Sequence, residues 1–218
     1  MIGQELDEEE RLAEKAGERS MEPYHKIESV FVRDEKTHKF IDGAWRLPEF
    51  EYLADNEWIC EEKIDGMNIR IMWDGQAVRF GGKTDRAQVP MPLLDRLNEL
   101  FTADKMEAIW PITTDEYGNL VSPEVCLYGE GYGAKIQKGG GNYKADGVDF
   151  ALFDVKVGRW WLKHEDVSGV AATLGLMRAP VSTRGPLRQA IGQVRHGFLS
   201  FWGPFPAEGL VCRPAVDL

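Results

Sequence analysis

The feature that most constrains the fold is a strand, turn and strand over residues 68–80. Asn68-Ile69-Arg70-Ile71-Met72-Trp73 and Gln76-Ala77-Val78-Arg79-Phe80 flank Asp74-Gly75. Runs of strand-forming residues on both sides of Asp-Gly predict an antiparallel hairpin, because glycine takes the positive φ that a tight turn needs. Immediately before the hairpin stands Glu61-Glu62-Lys63-Ile64-Asp65-Gly66. A lysine in a run that reads as strand is costly to bury unless it is paired or has a task. One reading is a surface strand ending in a turn. The other is a nucleophile. An amine near a cation loses its proton more easily and can attack an electrophile such as phosphorus, and Gly66 lets a ligand come close. Taken alone, the Lys-x-Asp-Gly tetrapeptide does not separate the two.

The rest of the chain predicts an α+β fold with antiparallel sheets flanked by helices. Lys26 to Phe31 reads as a strand, Asp42-Gly43 as a turn, and Pro48 to Leu53 as an edge or short helix. Leu93, Leu94, Leu97, Leu100 and Phe101 recur at helical spacing after Pro92. Val125-Cys126-Leu127-Tyr128 reads as a buried strand ending at Glu130. The glycine-rich stretch from Gly129 to Gly141 carries Lys135 and Lys138. It reads equally as a phosphate cradle of backbone amides and as a flexible loop. Phe150 to Val157 and Arg159 to Leu162 predict a second hairpin about Gly158. Helices follow over Val167–Leu174, closed by Gly175, and over Leu187–Val194, between Pro186 and Gly197. Leu210-Val211-Cys212 reads as a closing strand.

A length of 218 residues suits one sizeable domain. No apolar run approaches the length that crosses a bilayer, and no basic-then-apolar segment opens the chain, so a cytoplasmic protein is expected. Cys60, Cys126 and Cys212 are too scattered for a disulfide framework or zinc site and read as buried free thiols in a reducing compartment. His25, His38, His164 and His196 have no metal-like spacing. The net charge of −10 argues mildly against nucleic acid, although residues 1–20, with seven acids and three bases, carry part of it. Those twenty residues read as a charged tail outside the fold. Trp160-Trp161 reads as core or edge packing, or as an exposed stacking platform.

Four motifs in order resemble the covalent nucleotidyltransferases, which include ATP-dependent ligases and capping enzymes. The lysine run is the first. Tyr128-Gly129-Glu130-Gly131 resembles the superfamily's third motif, and Asp149-Phe150-Ala151-Leu152-Phe153-Asp154-Val155 the aromatic motif after it. Ala207-Glu208-Gly209-Leu210-Val211-Cys212-Arg213-Pro214 resembles its Glu-Gly-x-Val strand. DNA ligases usually carry arginine five residues after the lysine. Asn68 at that position, and Lys135-Ile136-Gln137-Lys138-Gly139-Gly140, resemble the RNA ligases of the phage nick-sealing and kinetoplastid-editing type. The resemblance spans about Tyr24 to Leu218. It implies a nucleotidyltransferase (ATP-grasp-like ligase) domain over residues 21–218, with no OB-fold domain.

The resemblance also implies the chemistry. Lys63 attacks the α-phosphorus of ATP, AMP passes to an RNA 5′-phosphate, and a 3′-hydroxyl then displaces AMP. By matching position, Glu62, Ile64, Asn68, Glu130, Phe150 and Glu208 bind the nucleotide. Phe150 stacks on adenine with Phe153 as its rival. Glu130, Glu208 and Asp65 hold Mg²⁺, or Mn²⁺, through oxygen ligands. Arg70, Lys83 and Arg86 meet the RNA end, with Arg79 also a candidate. The family's Lys-x-Lys strand does not follow Arg213, which implies a truncated or split form, a further polypeptide that supplies the strand, or a ligase-like protein that binds ATP or RNA ends without completing catalysis. A DNA-end or capping activity is a third reading, against which Asn68 argues.

Overall fold

The structure is a computed structural model that describes residues 23–84 and 86–215. The tail at residues 1–20 lies outside the described residues. In chain order the elements are β1 (Phe31–Arg33), β2 (Phe40–Trp45), α1 (Pro48–Tyr52), β3 (Glu57–Glu62), β4 (Met67–Trp73) and β5 (Val78–Gly81). Next come α2 (Met91–Leu100), α3 (Ala103–Ile109), β6 (Thr113–Thr114), β7 (Leu120–Val121), β8 (Val125–Gly133), α4 (Gly140–Tyr143), β9 (Val148–Val157) and β10 (Trp160–Trp161). The chain closes with α5 (His164–Leu174), β11 (Met177–Arg178), β12 (Val181–Pro186), α6 (Leu187–His196) and β13 (Leu210–Pro214).

Two sheets carry the architecture. The large one runs β10-β9-β8-β4-β5, antiparallel throughout, with β11 added in parallel beside the first half of β9. The small one runs β12-β3-β13, also antiparallel. The hairpin of β4 and β5 forms as expected. Asp74 Oδ1 accepts from the amides of Gln76 and Ala77, Gly75 takes φ 90°, and pairing resumes at Trp73↔Val78.

Strand periodicity divides the large sheet into two faces. On one, Ile69, Ile71, Trp73, Val125, Leu127, Phe150, Leu152 and Val155 pack against Leu93, Leu97, Leu100, Phe101, Val167, Ala171 and Leu174 of the helical layer. Gly129 and Gly131 point the same way. A Cβ at Gly129 would stand 2.1 Å from the Phe150 ring, and one at Gly131 would stand 2.4 Å from Leu93. Here glycine admits the aromatic core rather than a loop. The stretch expected as a glycine-rich loop therefore begins as strand, because β8 continues to Gly133 before the chain turns. A second core, Trp58, Cys60, Leu187 and Ala190, lies between the small sheet and α6.

Other expectations shift. The strand expected at Lys26–Phe31 begins only at Phe31, and Asp42-Gly43 sits inside β2, where a register irregularity opposite β1 absorbs Gly43 at φ 73°. Helices α2, α5 and α6 stand where the apolar spacing placed them, and Gly175 closes α5 in the left-handed conformation. All three cysteines are free. Among the described residues no helix is long and apolar enough to cross a membrane.

Candidate active site

Lys63 stands where the chain leaves the small sheet for the large one. Its amide donates to the Gly209 carbonyl at 2.9 Å, and the amide of Glu62 donates to the Pro180 carbonyl at 2.8 Å. Both neighbouring segments thus pin the backbone beside the lysine. Alternation along β3 turns Trp58 and Cys60 toward α6, and turns Glu61 toward Arg213 and Arg178 between the sheets. Lys63 continues the inward set and faces the cleft.

In that cleft the Lys63 ammonium pairs with Glu208 Oε1, the two side chains being 49% and 39% exposed. A pair this open to water adds little stability. It is a contact that a ligand can exchange. Glu130 enters from β8, directly opposite Asn68 on β4. Burial pushes its carboxyl up to about 8, Lys63 pulls the other way, and Glu208 and Asp65 add to the rise. Asp65 donates its amide to the Tyr143 hydroxyl at 3.2 Å, and its carboxylate approaches the Gly139 turn. Lys63, Asp65 and Asn68 therefore converge with Glu130 and Glu208, which come from two distant segments of the chain.

Among the described residues no three carboxylate, histidine or cysteine side chains close on a single point to cage a metal. What the cleft offers is hard oxygen donors that repel one another. That arrangement fits a divalent cation which takes one or two carboxylates and completes its shell with phosphate oxygens and water.

Other residues singled out in the sequence lie elsewhere. Phe150 is 1% exposed and T-stacked on Phe101 at 5.4 Å, on the helical face of the sheet. The reason is parity. Pairing steps from Tyr128↔Asp154 to Gly129↔Leu152, so Phe153 is an extra, bulged residue. Phe153, not Phe150, packs with Ile64 and Tyr132 between the sheets, edge-on to Tyr24 at 5.0 Å. The Glu62 carboxylate is turned away from the cleft and buried, accepting from Ser200 Oγ at 2.5 Å and from the Phe201 amide at 2.8 Å. It braces the loop ahead of Glu208. Arg70 is 1% exposed, and its Nε donates to the Gly82 carbonyl at 2.7 Å. It ties down the turn that carries Lys83 and Arg86, both exposed, at the same end of the sheet as Asn68. Arg79 turns its guanidinium to Met72 and Asp74 instead.

Behind Lys63 lies a buried polar network that no single motif announced. Glu61 accepts from Arg178 at 2.7 Å and Arg213 at 3.3 Å, with His164 at 3.2 Å. Arg213 also donates to Asp154, which accepts from the Tyr24 hydroxyl at 3.0 Å. Burial raises the carboxyls of Glu61 and Asp154, and the guanidinium groups oppose that rise. Tyr143, Tyr132 and Trp202 form an aromatic wall beside Asp65. Only tertiary packing collects these residues. The signals in the chain were Glu61, Asp154 and Arg213, each inside a motif that carries another site residue.

The RNA ligase family profile matches residues 56–218, most of the chain. The chain belongs to the RNA ligase family. Three solved Naegleria gruberi RNA ligase structures share the fold. The form with pyrophosphate is 18% identical at a TM-score of 0.59, over 77% of this chain and 49% of that one. A lysine-to-alanine variant with ATP and Mn is 15% identical at 0.60, over 77% and 49%. An arginine-to-alanine variant with ATP and Mn is 16% identical at 0.60, over 78% and 50%. This RNA ligase family chain thus spans about half the length of the solved structures it matches. The search of curated proteins returned no match.

Proposed function

We propose that this chain is an ATP-dependent RNA ligase that works through a covalent lysyl-AMP. The observation that carries the proposal is the exposed Lys63–Glu208 pair at the mouth of a two-sheet cleft, with the buried Glu130 beside it. The lysine amine attacks the α-phosphorus of ATP. A phosphorus–nitrogen bond forms and pyrophosphate leaves. The AMP then passes to an RNA 5′-phosphate, and a 3′-hydroxyl displaces it. Family membership, and likeness to RNA ligases solved with ATP and Mn, support this chemistry.

Each side chain has a task in that scheme. Glu208 holds the lysine in the cleft and releases it when a ligand enters. One or two of the Glu130, Glu208 and Asp65 carboxyls would hold Mg²⁺ or Mn²⁺, which when bound neutralises the phosphates and favours the unprotonated amine. Phe153 and Ile64 offer the base an apolar surface between the sheets. Asn68, whose Oδ1 is buried without a partner among the described residues, faces the same cleft and is left to bond the nucleotide. Lys83 and Arg86 suit a terminal phosphate, as exposed cations at the site's end of the sheet. RNA ends are the partner this chemistry takes. Three free thiols agree with a cytoplasmic setting.

The test is the intact mass after incubation with ATP and Mg²⁺, beside Lys63→Ala. The parent is expected to gain one AMP and the variant none. ATP binding without an adduct on the parent would overturn the covalent mechanism and leave a nucleotide-binding protein.

A further inference from the structure

We propose that Cys60 and Cys212 are a modification site, a dithiol that a peroxide-class oxidant closes into a disulfide across β3 and β13. The inference goes beyond the ligase reading and does not depend on it. The two residues are direct partners in the antiparallel register. The kind of pair they form follows from the hydrogen bonds at either end of the ladder. Lys63 donates its amide to Gly209, and Ala215 donates to Glu57, each bond joining directly opposed residues. Hydrogen-bonded and non-hydrogen-bonded pairs alternate along such a ladder, so the 63–209 and 57–215 pairs make 60–212 a non-hydrogen-bonded one. Opposed Cα atoms of that type stand about 4.5 Å apart with their side chains drawn together. That separation falls inside the range a disulfide spans. Both side chains also point to the same side, into the apolar cluster under α6. Cys126 stands on the other sheet, opposite Met72 and Lys156.

Access sets the order of events. Cys212 is half-buried and Cys60 fully buried. The neighbouring Cys60 and burial push the Cys212 thiol up, so its sulfur gives up the proton as it attacks one peroxide oxygen. A sulfur–oxygen bond forms, the oxygen–oxygen bond breaks, and hydroxide leaves to take up the released proton as water. The Cys60 sulfur then attacks the Cys212 sulfenic acid. The sulfur–sulfur bond forms, the sulfur–oxygen bond breaks, and a second water carries away the Cys60 proton. The two thiols lose two electrons and the peroxide gains them. The link lies on the face of the small sheet away from the cleft. It staples the strand leading into Lys63 to the strand that follows Glu208.

The experiment treats the folded protein with hydrogen peroxide, then unfolds it and labels thiols with a maleimide. The expected result is loss of two hydrogens from the intact mass, one label in place of three, a peptide map joining Cys60 to Cys212, and a higher Tm for the oxidised protein. Cys212→Ser, at the half-buried position, is expected to keep two labels after the same treatment. Three labels on the treated parent, a gain of oxygen at Cys212 without a link, or a bond through Cys126 or between two molecules would each overturn the proposal.

Discussion

His164 stays neutral in the folded chain down to about pH 4, because burial and the positive fields of Arg178, Arg184 and Arg213 outweigh nearby acids. Glu61 stands 3.2 Å from Nε2, but it already serves Arg178 and Arg213, and the cationic surroundings dominate. In the unfolded chain the same imidazole protonates near its ordinary value of about 6.5. The unfolded state therefore binds the proton first, and stability present above that value is lost as pH falls toward 4. The urea midpoint is expected to fall between pH 7 and pH 4.5 in the parent, and to fall less in His164→Gln. Glu62 gives a second residue-scale expectation. Ser200→Ala takes away one of two bonds to a carboxylate that is 1% exposed. The cost expected from denaturant unfolding is about 1–3 kcal/mol. Faster amide exchange at Trp202 is expected beside it, because the hydroxyl also accepts the Trp202 amide in the same loop.

At the scale of elements, β8 serves two masters. Its even-numbered residues place Tyr128, Glu130 and Tyr132 toward the small sheet, while its glycines at 129 and 131 let helix α2 and Phe150 press against the other face. Gly129→Ala brings a methyl against both the Phe150 ring and the Ala151 carbonyl at 2.4 Å, with backbone on one side and a packed ring on the other. The expected loss is about 3 kcal/mol, read from the shift of the denaturant midpoint. Motif reading saw the same Gly-Glu-Gly but took Gly129 to open a glycine-rich stretch, phosphate cradle or loop, since periodicity cannot tell a glycine in such a stretch from one that admits a neighbour's side chain. Phe150 misled for a related reason. Three residues apart, the two aromatics of β9 take opposite faces, and only pairing with β8 decides that Phe150 goes with Gly131 to the helical face and Phe153 to the other.

At the scale of the molecule, the cleft exists because two sheets are held at a working separation. Arg213 does much of the holding, since one guanidinium bonds Asp154 and the Phe153 carbonyl on the large sheet and Glu61 on the small one. Arg213→Met leaves two buried carboxylates short of a counter-charge. The expected cost is about 3–5 kcal/mol, measured as a fall in Tm and denaturant midpoint. Restoring a cation with Arg213→Lys is expected to recover only part of it, because an ammonium cannot fork to three acceptors in a plane.

The sequence by itself determined the hairpin about Asp74-Gly75, the helices under Leu93, Val167 and Leu187, and the order of the motifs that carry Lys63, Glu130 and Glu208. These are local matters of period, turn chemistry and residue type, which a chain displays without being folded. Tertiary structure alone decided that Glu62 looks away from the cleft, that Arg70 braces a turn, and that Glu61, Arg178, Arg213 and His164 share one buried network. Those outcomes depend on strand parity, on a one-residue bulge and on which face each sheet buries, and long-range pairing sets all three.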